Sequence, residues 1–312
     1  MKTVSVVIPT YNEEENIPLV YGRVKNIFND ALRLYDYRIL FIDNCSTDTS
    51  RAQIKNLASI DSRVQYIFNV KNFGFSRSTF YGLTQSEGDC TVLLFADMQD
   101  PPELIADFVR EWENGHKVVA GIKNKSRENP VMYGIRQAYY KFINSIAEIE
   151  HIEQFTGFGL YDRSVIASFR DLQDPLPYLR GIVAELAPEC HKIFYNQETR
   201  KHGKSSFNFM KLYDVAMLGI TSYSKALLRL ASFAGIIISI ISFIIALVTL
   251  ILKLSGVISY PIGTAAILFG VFFFGGVQLL FIGLLGEYIS NINIRTMKRP
   301  LVVEEERGGL KK

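Results

Sequence analysis

Four clusters of oxygen-bearing side chains recur at equivalent places in the first third of the chain: Thr10-Tyr11-Asn12-Glu13, Asp43-Asn44, Asn69 to Asn72 and Asp97 to Asp100. Each follows a run of β-branched and apolar residues. Carboxylates and amides beside backbone N–H groups suit a sugar nucleotide, because base and ribose want acceptors and a diphosphate wants a divalent cation held by oxygen ligands. Neither GxxxxGK followed by Ser or Thr nor GxGxxG occurs, so the chain lacks the glycine-rich cradles of P-loop and dinucleotide-binding proteins. Cys45, Cys90 and Cys190 are isolated and match no disulfide framework or metal-site spacing, so they are expected to be reduced thiols. His116, His151, His191 and His202 are likewise scattered, with no pair at metal-ligand spacing.

Those clusters need a scaffold that brings them to one edge. Residues 3 to about 122 alternate between short β-branched runs and amphipathic stretches, the pattern of an α/β protein with a mostly parallel sheet and crossover helices. VSVVIP, RILFID, VQYIF, TVLLFA and VVAGI at 118–122 are expected as strands, and Glu14 to Leu34, Thr49 to Ala58, Ser76 to Ser86 and Pro102 to Asn114 as helices. In such an open sheet ligands bind beyond the carboxyl ends of the strands, where all four clusters fall. A 312-residue chain that is 48% hydrophobic and 21% charged is not disordered. Its 34 basic and 31 acidic residues leave only +3, which gives no support to a nucleic-acid binder working through a basic face.

The apolar residues concentrate late. No charge occurs between Arg229 and Lys253, and none between Lys253 and Glu287. Ala231 to Leu252 is long enough for one membrane span, and Pro261 divides the second run into an outer turn, Leu254 to Tyr260, and a returning span, Ile262 to Gly286. Lys225, Arg229, Arg295, Lys298 and Arg299 flank the inner ends of this hairpin, whereas the turn side offers only Lys253, so both ends are expected in the cytoplasm. The N-terminus has too short an apolar run, followed by Glu13, Glu14 and Glu15, to read as a signal peptide. Between these regions, Phe207 to Arg229 spaces its apolar residues as an amphipathic helix lying in the membrane interface would.

The strings IPTYNEEENI, FIDNCSTDTS, NFGFSRS, ADMQDPPELI, TGFGLYDR, YLRGIVAEL, RKHGKSSF, LLGEYI and KRPL, in this order from Val4 to about Val303, resemble the family 2 inverting glycosyltransferases of the polyprenyl-phosphate branch. Dolichol-phosphate mannose synthases and bactoprenol glucosyltransferases are relatives in that branch. The resemblance implies a Rossmann-like A-type glycosyltransferase domain over residues 1–206, interfacial amphipathic helices over 207–230, a transmembrane hairpin over 231–287 with spans 231–252 and 262–286, and a cytoplasmic tail over 288–312. It places the chain in the inner membrane as a multi-pass protein, catalytic domain in the cytoplasm, and suggests a homo-oligomer, a tetramer or dimer.

By the same resemblance Pro9, Tyr11, Glu13 and Asp43 meet the uracil and ribose of a UDP-sugar. For Asp43, a turn cap preceding Ser46 is the competing reading. Asp97 and Gln99 would ligate Mg2+ or Mn2+, with Phe95 standing where relatives carry the first Asp of the metal segment. Asp100, before Pro101-Pro102, reads equally as a helix cap. Lys123, Arg136, Arg200, Lys204 and Ser205 map to the phosphate-binding positions, with Asp97, Arg136 and Arg200 carrying catalysis. Arg180 could join them or be a solvated surface charge. The acidic residue of the relatives' TGDFRL is missing, and Asp162 is the nearest substitute. The implied reaction moves one sugar, glucose first and N-acetylglucosamine or galactose as alternatives, from a UDP-sugar to undecaprenyl phosphate with inversion, giving a lipid-linked donor for cell-surface glycan modification. A processive polysaccharide synthase would need a tryptophan in its QxxRW signature, and the only one, Trp112, follows Arg110-Glu111. A noncatalytic sugar-nucleotide-binding scaffold is the reading that Phe95 favours.

Overall fold

The computed structural model describes residues 1–124, 152–172, 174–198, 264–297 and 299–310, with Met217 and scattered positions between 233 and 255. The four expected helices and five expected strands all form: β1 (Thr3–Thr10), α1 (Ile17–Asn29), β2 (Asp36–Asp43), α2 (Ser50–Ile60), β3 (Val64–Asn69), α3 (Phe75–Gln85), β4 (Cys90–Leu93), α4 (Leu104–Glu113) and β5 (Val118–Lys123). Then follow β6 (Phe155–Asp162), α5 (Arg163–Asp171), α6 (Leu179–Leu186), β7 (His191–Tyr195), α7 (Thr264–Thr296) and β8 (Glu304–Gly308). The eight strands among the described residues join one sheet in the order β7-β5-β6-β4-β1-β2-β3-β8. Among them β6 and β8 run against the rest.

The central strands are apolar on both faces because both faces are covered, as a parallel sheet requires. Val4, Val6 and Ile8 of β1 pack on one side with Ile17, Val20 and Val24 of α1 and Phe108 of α4. On the other side Val7, Leu40 and Ile42 meet Phe80 and Leu83 of α3, Phe169 of α5 and Ile182 of α6. Helix α1 reaches its core through Ile17, Val20, Tyr21, Val24, Ile27 and Phe28, which recur every three or four residues.

Three strands, β6, β7 and β8, lie beyond the five expected from the sequence. Strand β6 inserts antiparallel between β4 and β5, and its glycines are there because the neighbours come close: a Cβ on Gly159 would lie 2.4 Å from the Val119 carbonyl oxygen. Strand β8 comes from the segment read as a tail. It pairs antiparallel with β3, setting Phe68 opposite Glu306 and Tyr66 opposite Gly308, and the Tyr66 ring leaves no room for a side chain at Gly308. Its charged residues cover the edge of the sheet without offering an apolar surface to other chains.

Helix α7 runs on past the expected boundary at residue 286 to Thr296. Its Phe273–Thr296 stretch is long and apolar enough to cross a membrane, the one such helix among the described residues. Ile267, Val271, Leu279, Ile282, Ile289 and Ile292 are all exposed, whereas a core helix of a soluble protein would have them covered. The first expected span is described only at scattered helical positions from Phe233 to Leu252, the outer turn only at Ser255, and the interfacial stretch 207–230 only at Met217. The two-helix arrangement therefore lies largely outside the described residues. In the last turn of α7, Arg295 pairs with Asp174 at 3.3 Å, and just beyond it the Pro300 carbonyl accepts from Arg77 at 2.6 Å, so the end of the apolar helix is tied to the α/β domain.

Candidate active site

The site is built on the carboxyl ends of β1, β2, β3 and β4. Strand pairing sets Thr10 beside Asp43, and the Asn44 amide continues the ladder to the Thr10 carbonyl at 3.0 Å. The two loops that follow lock together. Asn12 takes a left-handed backbone (φ 55°), which asparagine tolerates better than most residues. Its amide donates to Ser46 Oγ at 2.9 Å, its side-chain carbonyl accepts from Thr47 N at 2.8 Å, and Glu13 N donates to Ser50 Oγ at 3.0 Å. This lattice leaves Tyr11 exposed at the mouth, with Pro9 below it in β1 and the Glu13 carboxylate receiving Asn16 Nδ2.

Asp43 is completely buried. Its Oδ1 accepts from Ser46 N at 3.0 Å and from Arg51 Nε at 2.6 Å, and its Oδ2 accepts the Ser46 hydroxyl. The turn-cap reading is thus present in the geometry, joined by an ion pair that spacing did not disclose. Arg51 also reaches the Asn69 carbonyl at 2.6 Å and Glu305 of β8 at 2.8 Å. Three asparagines shape the next wall: Asn44 Oδ1 accepts from Phe73 N at 2.9 Å and Asn69 Nδ2 at 3.2 Å, while its amide donates to Asn72 Oδ1 at 2.9 Å.

On the other side of β1, the chain leaves β4 through Phe95 and Ala96 and turns at Met98 (φ 59°). The turn presents Asp97 and Gln99 partly exposed while Ala96, Met98 and Asp100 are buried. Asp97 Oδ1 accepts the Gln99 amide at 3.2 Å, which fixes the carboxylate over its own turn. A carboxylate and a side-chain amide, both oxygen donors and both reachable, fit Mg2+ or Mn2+ better than a softer metal. Phe95 lies against Phe75 at the start of α3, ring centroids 5.5 Å apart. Where the family resemblance implies a carboxylate, this chain has an apolar contact.

Asp100 is not the cap of α4, which starts after Glu103 without a side-chain cap. It is buried and accepts the Tyr195 hydroxyl of β7. Burial raises its pKa, against the opposing pull of Lys123 and the Tyr195 hydrogen bond. Lys123 ends β5 in register with Tyr195, so this expected phosphate-binding residue does stand at the same edge as Asp97. Glu198 N donates to the Gln99 carbonyl at 2.9 Å, a second brace from the segment after β7.

The substitute for the missing acidic residue fails. Asp162 closes β6 opposite Cys90, the first residue of β4, and because β6 is reversed that is the far end of the sheet. Its carboxylate caps α5 through Ser164 N at 2.8 Å and accepts Trp112 Nε1 at 2.8 Å. Arg180 lies in α6, half-exposed and engaged with neighbours. Arg136, Arg200, Lys204 and Ser205 lie outside the described residues. Arg51, Asn44 and Tyr195 carry the architecture of the site without having been singled out for it, and only Asn44, directly after a strand, was marked by its position.

A twisted, mostly parallel sheet covered on both faces, with acceptor-rich loops gathered on one edge, defines a Rossmann-like A-type glycosyltransferase domain. Residues 5–169 match the family described as Glycosyl transferase family 2, and the chain belongs to that family. It is 32% identical over 299 residues to the bactoprenol glucosyl transferase of Shigella phage SfX, covering 95% of this chain and 97% of that protein. It is also 30% identical over 308 residues to the uncharacterized glycosyltransferase YkcC of Bacillus subtilis (strain 168), covering 98% and 94%. Among solved structures, a mycobacterial protein superposes with a TM-score of 0.50 at 16% identity, covering 70% of this chain and 73% of that one; that likeness concerns the fold alone. The protein is a glycosyltransferase.

Proposed function

We propose that this protein transfers a single sugar, glucose in the first instance, from a UDP-sugar to undecaprenyl phosphate at the cytoplasmic leaflet, with inversion at the anomeric carbon. The observation that carries this reading is the joining of two features in one chain: an oxygen-lined strand edge holding Asp97 and Gln99, and a bare apolar helix whose end is tied to the same domain through Arg77 and Arg295. The similarity to a bactoprenol glucosyl transferase runs through both. The two spans 231–252 and 262–286 would form a hairpin that keeps the catalytic domain on the cytoplasmic side.

In this reading Tyr11, with Pro9 and Glu13 beneath it, receives the uracil and ribose, and Asp43 holds the second loop in shape from below. Asp97 and Gln99 would hold a divalent cation, which when bound supplies positive charge to the donor diphosphate. Lys123 stands at the next strand end, and Arg136, Arg200, Lys204 and Ser205 are assigned to the phosphates by resemblance. A phosphate monoester loses its second proton near pH 6, so the lipid phosphate attacks in charged form and needs no strong base. That agrees with the absence of a carboxylate from the Thr156–Gly159 segment. The bond to UDP breaks as the bond to the lipid phosphate oxygen forms, and the cationic residues stabilise the departing diphosphate.

Purified full-length protein incubated with a panel of UDP-sugars should release UDP only when undecaprenyl phosphate is present, and a chelator should stop it. The packing of Phe95 on Phe75 favours one other reading, a noncatalytic scaffold that binds sugar nucleotide. UDP-sugar binding without lipid-dependent UDP release would establish the scaffold instead.

A further inference from the structure

We propose that Glu111, His116 and His191 form a second metal site, for a divalent transition ion of the Zn2+ class, at the end of the sheet opposite the donor site. The histidines are far apart in sequence, and the fold brings them together. Gly115 turns the chain with a left-handed backbone (φ 102°) after α4, which lets His116 N donate back to the Glu111 carbonyl at 3.3 Å and carries its ring over the last turn of the helix. His191 opens β7 and is paired with Val119 of β5, a few residues after His116. The two imidazoles lie side by side with centroids 4.6 Å apart.

Both rings aim Nε2 at one oxygen. His191 Nε2 lies 3.7 Å and His116 Nε2 3.8 Å from Glu111 Oε2, and the three ligand atoms fall within 4.8 Å of one another. These separations exceed a hydrogen bond. They approach the spacing that a tetrahedral ion imposes, since ligands about 2.0–2.2 Å from Zn2+ sit roughly 3.3–3.6 Å from each other. Asn114 Nδ2, 3.3 Å from the same carboxylate oxygen, orients it as supporting groups around metal sites do. Two imidazoles and a carboxylate select zinc, cobalt or nickel over magnesium, which prefers oxygen alone. Each ligand residue is half-exposed, leaving a way in and room for water as the fourth ligand.

A bound ion would tie α4 to β7, the terminal strand on this side of the sheet. The other end of β7 carries Tyr195, which braces Asp100, and the following Glu198 braces Gln99. The site is thus a staple on the strand that supports the donor-side turn, and it stands or falls independently of which sugar is transferred.

The test uses the full-length chain in detergent, purified without a polyhistidine tag, stripped with chelator and kept in excess Mg2+ so that oxygen-only sites are filled. Titration with Co2+ should give the visible ligand-field bands of a tetrahedral site, and one equivalent of Zn2+ should abolish them. Zn2+ affinity should fall at least about tenfold in His116→Ala, His191→Ala and Glu111→Gln, the scale seen when groups around a metal are lost. Glu111→Gln is isosteric and keeps the test open if β7 does not tolerate alanine. Equal Zn2+ binding by wild type and all three variants, or Co2+ binding without tetrahedral bands, would overturn the site.

Discussion

The Arg51 guanidinium donates through Nε to the fully buried carboxylate of Asp43 at 2.6 Å. The same side chain reaches Glu305, so β8 and the carboxyl end of β2 share one cation. This makes the C-terminal segment part of the donor-side architecture.

Replacing Arg51 by Ala would leave Asp43 buried with only Ser46 beside it. The expected cost is about 3 kcal/mol, the low end for removing one partner of a buried pair, read as a lower denaturant midpoint together with weaker UDP binding. Glu305→Gln removes only a solvent-exposed partner and should cost under about 1 kcal/mol. Equal effects would mean that Asp43 does not depend on Arg51.

Asp97→Asn should cut turnover by about a hundredfold or more, the scale of losing one electrostatic stabiliser, while the unfolding midpoint stays at its wild-type value. With Phe95 in place of a second carboxylate, Asp97 is the one partly exposed acid in the turn, because Asp100 is buried and bonded to Tyr195. Wild-type turnover in Asp97→Asn would remove this residue from the metal assignment.

Arg200→Lys keeps the charge and loses the planar fork that grips two phosphate oxygens. Turnover should drop clearly in the lysine variant and further in Arg200→Ala, with wild-type membrane insertion in both. Normal kinetics in the two variants would make Arg200 a surface charge.

Acid stability should depend on Asp61. Its hydrogen-bonded pairing with Arg63 outweighs burial and, with Tyr21, lowers its pKa from 3.8 to about 2. A depressed carboxylate contributes stability that is complete above the unfolded pKa and fades as pH falls toward the folded one, here from about 4 to about 2. The contribution is about 2 kcal/mol, at roughly 1.4 kcal/mol for each tenfold change in proton affinity. Urea midpoints for Asp61→Asn should lie below wild type at pH 6 and converge on it at low pH; a constant gap across that range would assign the loss to packing.

Topology can be read with single cysteines. Ser255→Cys sits in the expected outer turn and should react with an impermeant thiol reagent added to intact cells, whereas Lys312→Cys should react only after lysis. Gly308 is unsuitable as a reporter because the Tyr66 ring occupies the space a side chain would need. Labelling of Lys312→Cys from outside would require an odd number of crossings.

Strands β1 to β5 and helices α1 to α4 were legible because their signals are local: β-branched runs, three-to-four-residue periodicity, and polar clusters directly after each strand. Those clusters also marked one edge of the sheet as the site, since a parallel α/β sheet leaves its ligand crevice at the carboxyl ends of its strands. The family motifs carried the remaining assignments. What only the tertiary structure decided were relationships between distant segments. Strand β6 reads weakly because Gly157 and Gly159 interrupt its apolar residues, and its reversed direction, which sends Asp162 away from the site, is a property of the sheet. Strand β8 reads as a solvated charge run, yet Gln65 reaches the Gly309 carbonyl at 2.8 Å across 244 residues. No local pattern can encode such a partner, because the free energy that selects it comes from closing an exposed sheet edge that exists only once β3 is in place. His116 and His191 meet for the same reason: β5 and β7 become neighbours only when the sheet assembles.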